Sequence, residues 1–448
     1  MSASKFTEGP IAKQLIWLAG PIIIANLFQQ LYNTVDAMLV SHYLGKAAFA
    51  GVGMSGVMIN LLIFLLTGCC AGVSVILANQ YGAGDFAKLR QEICLAGKLG
   101  LSVALLLTII SLLILPAALT KMQTPPAVRP FAATYIQIIA SGMVLAFLYY
   151  YPAAILRAVG DTKRALYYLV AANVLNAGLD YLFIGVLTWG IAGAAWATLL
   201  SQLLASLLCW NALRRHYPEL MPSRNDDRFD WSLCKLTVYY SSVAALQTAL
   251  LCVSNVLVQR CVNGLGTTAL AAYVATLRLE GLIKSLAAAG AVALGIYVAQ
   301  NEGARRYHRS NLAFRGTFAC LCGVGLAAGV LLYAASPALV GLFLNPNESE
   351  AIGSGALYLQ TLAAFYTLPF MANAFQGWFR GTGLMWVPFL GTSVQLVIRV
   401  LLTMRYIGDE GLQAVAYATW MGWVIMVALL IAIYAFYARR RRALIAAS

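Results

Sequence analysis

The chain has 448 residues, of which 61% are hydrophobic and 10% charged, against about 25% charged residues in an ordinary soluble domain. That balance excludes a soluble globular enzyme and identifies a polytopic membrane protein. The net charge of +14 would suggest a nucleic-acid partner in a soluble domain, but here its placement beside apolar runs assigns it to membrane topology, and no nucleic-acid partner is expected.

Twelve apolar runs follow in chain order, at about 13–39, 47–78, 93–117, 131–155, 165–187, 191–213, 236–262, 269–300, 313–336, 354–376, 387–406 and 412–437. About 20 apolar residues suffice to cross ~30 Å of hydrocarbon. Backbone in lipid must satisfy its own hydrogen bonds, so these runs are predicted as helices. Most of the 30 basic residues fall in the N-terminus, in the loops after even-numbered runs and in the C-terminus. Lys46, Lys121, Arg129, Arg260 and Arg405 lie at the opposite ends. Both termini are therefore predicted cytoplasmic, in a protein integral to the cell membrane. The closing Arg439 to Arg442 reads as a topology and headgroup anchor. The first run is too long for a secretory signal and has no small-residue cleavage pattern after it, so it is expected to remain in the mature protein.

Little in the chain points to catalysis. The nine cysteines are scattered, and Cys69/Cys70 and Cys320/Cys322 have no partners at zinc spacing, so they read as small packing residues rather than a structural metal site. The three histidines, His42, His216 and His308, lie in loops or at the ends of runs. With no HExxH motif, Ser/His arrangement or GxxxxGK[ST] loop, neither an enzyme nor a nucleotide-driven pump is expected, and no cofactor.

The sequence repeats itself. Residue n set beside n+221 aligns the halves without a gap from Pro21/Ser242 to Gly84/Arg305: LGKAAFAGVG (44–53) falls on LGTTALAAYV (265–274), and LANQYGAGD (77–85) on VAQNEGARR (298–306). Six runs per half is an even number, so both halves enter the bilayer from the same side, related by an axis along the membrane normal. The predicted fold is thus an all-α membrane protein of twelve transmembrane helices in two six-helix lobes. An N-terminal lobe (1–213) and a C-terminal lobe (236–448) are joined by a polar cytoplasmic linker (214–235).

Three acids fall well inside the runs: Asp36, Asp180 and Glu280. Intramembrane charge is costly, about 2.5–3.5 kcal/mol on insertion scales, and is a functional candidate by default. At helical spacing, Gln29, Tyr32, Asn33 and Asp36 share one face of the first run, and Asn173, Asn176 and Asp180 one face of the fifth. Such stripes can be interhelical hydrogen-bond glue. Glue alone does not explain two aspartates, which repel when close unless a proton or cation lies between them. The second half lacks this pair: Asp36 aligns with Leu257, and Asp180 with the Leu401–Thr403 region. It carries instead Arg278, Glu280 and Lys284 on its second run and Gln395 and Arg399 on its fifth. Glu280 and Lys284 are four apart in the favourable order and read either as a structural ion pair or as a second protonation or substrate site.

The order NTVD (33–36), LRAVGDTK (156–163), NVLNAGLDYLFI (173–184) and GIAGAAWAT (190–198) resembles the multidrug and toxic compound extrusion (MATE) transporters over essentially the whole chain. The resemblance implies a cation-coupling constellation in the N-terminal lobe at Asp36, Asn176, Asp180 and Thr198, and a helix bend at Pro21. One branch of the family carries an acid in its seventh span, where SNVLVQRC (254–261) offers none, which favours coupling in the N-terminal lobe. Glu280 matches an acid of many bacterial members and makes Glu280, Lys284 and Arg399 secondary candidates.

The function expected from this is an antiporter, coupled to H⁺ or Na⁺, that exports organic cations and other amphipathic compounds by alternating access. The oxygen ligands at Asp36 and Asp180 suit either Na⁺ or a shared proton. Tyr149, Phe365, Tyr366 and Met371 are candidate cleft residues for flat apolar cations. The alternative is a flippase of lipid-linked saccharides, for which a more cationic cavity is expected. The oligomeric state is left open, with a monomer plausible.

Overall fold

In the computed structural model the described residues are all except 1–5, 122–125, 224–225, 345–346 and 447–448; the side chains of Lys46, Val57, 115–121 and 439–446, and with them the predicted arginine anchor, lie outside the description. The described chain is helical: α1 (Ile11–Ala83), α2 (Phe86–Lys121), α3 (Arg129–Ser141), α4 (Met143–Ala158), α5 (Thr162–Asp180), α6 (Ile191–His216), α7 (Trp231–Asn263), α8 (Thr267–Gly303), α9 (Tyr307–Gly341), α10 (Ser349–Ala363), α11 (Thr367–Gly381), α12 (Trp386–Glu410) and α13 (Leu412–Ala446). Among the described residues ten helices are long and apolar enough to cross a membrane, or eleven if the bent pair α3/α4 is one span.

The predicted runs lie on these helices, with breaks where the chemistry demands them. α1 contains two of the runs and divides at Gly45, whose φ of 80° and ψ of −178° are readily open to a residue without Cβ. The fourth run is two helices bent by 50° at Gly142. A Cβ there would lie 2.0 Å from Leu199 Cδ2, so α6 can pass the bend because a glycine occupies it. The tenth run also falls on two helices, α10 and α11. Pro369 has no N–H to give to the carbonyl of residue 365, which ends the regular hydrogen-bond ladder between them.

The contacts group the chain into two compact units, one comprising Gly20–Ala245 and the other Phe6–Ala19 with Leu246–Ser448. The division runs through α1 and α7 rather than between helices. In the second unit, Arg309 Nη2 donates to Tyr297 OH (2.8 Å), Gly9 O (3.0 Å) and Gln14 Oε1 (3.2 Å), while Asn301 Nδ2 donates to Phe6 O (3.2 Å). The N-terminal segment is thereby fastened to α8 and α9. In the first unit, the polar segment before α7 is fastened to α2: Arg90 Nε pairs with Asp226 (3.1 Å), Lys98 pairs with Asp227, and Gln91 Nε2 donates to Arg228 O (3.1 Å). The Ser223 backbone N–H and hydroxyl, with Arg90, hold the Asp226 carboxyl below its ordinary range.

Small residues set the closest helix contacts, as is usual where lipid removes the hydrophobic drive for helix association. On α11, Gly377 and Gly381 are four apart and face α8; a Cβ at Gly377 would lie 2.5 Å from Ala291 O, and one at Gly381 2.7 Å from Gly295 O. Gly377→Val is expected to force the two helices apart and cost about 1–3 kcal/mol, read as a lowered unfolding temperature in detergent. Gly353→Ala, where a Cβ meets nothing within 4 Å, is the control expected to change little.

Candidate functional site

The site in the first unit is built from α1, α3, α5 and α6. The stripe on α1 is present as spaced: Gln29 Nε2 donates to Asn33 Oδ1 (3.4 Å), and Tyr32 and Asp36 continue it. On α5, Asn176 is 1% and Asp180 0% exposed. Asp180 is the last residue before a π-helical turn, Tyr181–Val186, in which Leu187 N–H bonds Leu182 O (2.8 Å). An i→i+5 turn inserts an extra residue into the helix, and such turns recur at functional sites.

The Asp36 and Asp180 carboxyls lie within hydrogen-bonding reach of each other. Neither is ion-paired to a basic side chain among the described residues. Asp36 Oδ1, both Asp180 oxygens and both side-chain polar atoms of Asn176 are buried without a hydrogen-bond partner in the protein. A buried polar atom left in that state costs about 1–3 kcal/mol, and more when charged. The arrangement therefore fits an absent partner that is positive or a hydrogen-bond donor. The oxygens of Asp36, Asp180 and Asn176 are of the type a hard monovalent cation takes, and two carboxyls within reach of each other are equally suited to sharing one proton.

Thr198, on α6, joins the cluster through its hydroxyl. Its oxygen lies 3.1 Å from Ala194 O, and the Tyr32 and Tyr135 side chains reach the same hydroxyl. Both tyrosines also lie in the field of Asp36 and Asp180. A cavity of about 40 Å³ adjoins this group, lined by Gln29, Tyr32, Tyr149, Asn173, Thr198 and Gln202 among others.

The remaining predicted residues are distributed as follows. Pro21 is buried within α1. In the second unit Glu280 is ion-paired to Lys284, and Arg399 donates to Asn255 Oδ1 (3.0 Å) and to Tyr273 OH (3.1 Å). Tyr149 belongs to the first unit, whereas Phe365, Tyr366 and Met371 belong to the second. Phe365 stacks on Trp420 with ring centroids 4.3 Å apart, Tyr366 is fully buried against Phe370 and Trp423, and Met371 is half-buried. Among the described residues there is no cluster of three or more His, Cys, Asp or Glu side chains able to hold a metal ion.

Two residues escaped the sequence reading. Tyr135 has no polar stripe of its own, since its helical neighbours are Phe131, Ala132, Ile138 and Ile139; its role emerges when α3 packs on α6. Glu92 stood one residue outside a predicted run, yet it is 0% exposed and its carboxylate is held by the Thr237 hydroxyl, 2.9 Å from both oxygens. Thr237→Val is expected to leave that acid without its partner and to lower stability by about 1–3 kcal/mol. The double variant Glu92→Leu/Thr237→Val is expected to recover most of the loss, measured as unfolding midpoint.

The MatE family model matches residues 21–182 and 244–405, so that one model fits each half of the chain at an offset of 223 residues. Among curated proteins, the chain is 28% identical over 387 residues to the "Probable multidrug resistance protein YpnP" of Bacillus subtilis strain 168, covering 86% of each. It is 24% identical over 401 residues to the "Probable multidrug resistance protein NorM" of Thermotoga maritima, covering 86% of this chain and 83% of that one. Among solved structures, one described as the outward-facing conformation of a multidrug resistance MATE family transporter of the MOP superfamily superposes with a TM-score of 0.90 at 22% identity, covering 98% of both chains. That likeness concerns the fold.

Proposed function

This chain belongs to the MatE family of multidrug transporters, and we propose that within it the protein works as an antiporter that exchanges H⁺ or Na⁺ for organic cations and related amphipathic compounds. It is a membrane transporter and not an enzyme. The observation that carries the coupling reading is that Asp36, half-buried with its Oδ1 sealed from solvent, and the fully buried Asp180 lie within reach of each other with no basic partner among the described residues. The multidrug-resistance names of the curated relatives favour small-molecule export over the flippase alternative.

A bound proton or Na⁺ supplies one positive charge between the carboxylates. Asp36 and Asp180 bind it, while Asn176 and Thr198 contribute neutral oxygens and the Tyr32 and Tyr135 hydroxyls orient Thr198. When the charge is lost, Asp36 on α1 and Asp180 on α5 repel and draw in water, which favours separation of the two helices. Pro21 offers α1 a place to bend, because its ring removes one ladder hydrogen bond. In this reading the lobes are 1–213 and 236–448 with the linker 214–235 cytoplasmic, as are both termini. Tyr149 in the first unit and Phe365, Tyr366 and Met371 in the second are the proposed substrate-contacting residues, with Glu280, Lys284 and Arg399 as a secondary site.

The energetics suit exchange. Moving one positive charge out against an inside-negative potential costs about 2.3 kcal/mol per 100 mV. Importing one coupling charge cancels that cost and leaves the ion's concentration gradient, worth ~1.4 kcal/mol per tenfold, as the drive.

In inverted vesicles loaded by an imposed pH or Na⁺ gradient, ethidium uptake by Asp36→Asn and by Asp180→Asn is expected to fall to the level of vesicles without the protein. Thr198→Ala is expected to weaken the ion dependence about two- to tenfold, the worth of one neutral hydrogen bond at ~0.5–1.5 kcal/mol. Wild-type uptake by Asp36→Asn would remove the coupling role.

A further inference from the structure

The Glu280 carboxyl lies roughly 20 Å along α8 from its N-terminus at 1.5 Å per residue and is 3% exposed. One oxygen is ion-paired to Lys284 Nζ, and the other, Oε1, has no hydrogen-bond partner in the protein. The Tyr358 and Tyr366 hydroxyls both lie in the electrostatic field of the same carboxyl. Lys284 Nζ stands 5.0 Å from the centroid of the Trp423 ring, and that ring meets Tyr366 edge-on at 5.8 Å. The Tyr366 hydroxyl, on a residue 0% exposed, is also without a partner.

A buried carboxylate with two tyrosine hydroxyls in its field, whose cationic partner sits over a tryptophan ring, has the chemistry that recognises an alkylated ammonium: negative charge on one side and a π face on another. Here the group lodged in it is the chain's own ammonium. A surface i,i+4 ion pair requires neither an aromatic wall nor a carboxylate oxygen left free. Lys284 is also suited to leave, since its side chain is 36% exposed and its charge sits on a flexible four-carbon stem. Arg399 is not, being 8% exposed and fixed by Asn255 and Tyr273.

We propose that Glu280, Tyr358, Tyr366 and Trp423 form a binding site for the ammonium group of an organic cation, in which Lys284 is a tethered resident that the substrate displaces. The inference rests on the exporter reading for its substrate class and adds a place for that substrate within the second unit. Exchange of one ammonium for another keeps the charge of the site constant. It also makes the tether an internal competitor: if Lys284 is docked nine times in ten, the apparent affinity for a free ammonium is about tenfold weaker than the bare site would give.

The test is equilibrium binding of radiolabelled tetraethylammonium to the purified full-length protein in detergent. Lys284→Met is expected to bind it at least about tenfold more tightly than wild type, and Lys284→Gln, which retains a hydrogen-bond donor for Glu280, to shift in the same direction. The double variant Glu280→Gln/Lys284→Met, which leaves no lone buried ion, is expected to lose that binding. Arg278→Gln removes a positive charge from an exposed position on the same helix and is expected to bind like wild type. An unchanged affinity in both Lys284 variants, equal tightening by Arg278→Gln, or full binding by the double variant overturns the proposal. Vesicle transport separates the two levels: gradient-driven uptake by wild type with no tightening in the Lys284 variants removes the tethered site alone, whereas absence of gradient-driven uptake removes the antiporter reading.

Discussion

Two carboxyl groups within reach of each other in a medium of low dielectric do not both carry charge at little cost unless something positive lies between them. At 4 Å, like unit charges repel by about 4 kcal/mol even at an effective dielectric of 20, and burial adds the cost of desolvating each. Asp36 and Asp180 are in that position, with unpartnered oxygens and no basic side chain paired to them among the described residues. The surrounding polar groups follow from this constraint. Asn176 adds uncharged donor and acceptor atoms, and Tyr32 and Tyr135, which lie in the field of both acids, reach the Thr198 hydroxyl.

The two halves descend into different chemistry from one plan. A single family model fits both, yet the acids of the first half are answered in the second by Leu257 and by the Leu401–Thr403 region. The second unit concentrates its polarity elsewhere, around Glu280, Lys284 and Arg399, where each charge has a partner of its own: an ion pair for the first two and neutral hydrogen-bond acceptors for the third. The first unit thus holds an incomplete electrostatic site and the second a nearly complete one. This asymmetry is why ion exchange is assigned to one and substrate recognition is inferred for the other.

Much of this was legible in the sequence because membrane helices obey strict rules. Runs of apolar residues had to be helices, and the positions of Asp36, Asn176 and Asp180 followed from spacing on two of them. What spacing could not give was any meeting between helices that carry no periodic signal. Tyr135 stands alone in an apolar helix, and its link to Thr198 depends on how α3 packs. Glu92 was missed because a span boundary drawn from hydropathy stops at the first charge, whereas the helix continues and buries that charge against Thr237. The breaks in the fourth and tenth runs were hidden for a similar reason: hydropathy is unchanged across Gly142 and before Pro369, and the bend arises from a close approach in one case and a missing N–H in the other.

The central claim is that Asp36 and Asp180 act as one site holding one positive charge. Infrared difference spectroscopy of the carboxyl stretches, recorded on the purified protein while pH and Na⁺ are varied, tests it most directly. The account expects one band belonging to a buried, coupled carboxyl pair, responsive to the ion and lost in both Asp36→Asn and Asp180→Asn. Two carboxylates that titrate independently, each unaffected by substitution of the other, would contradict it.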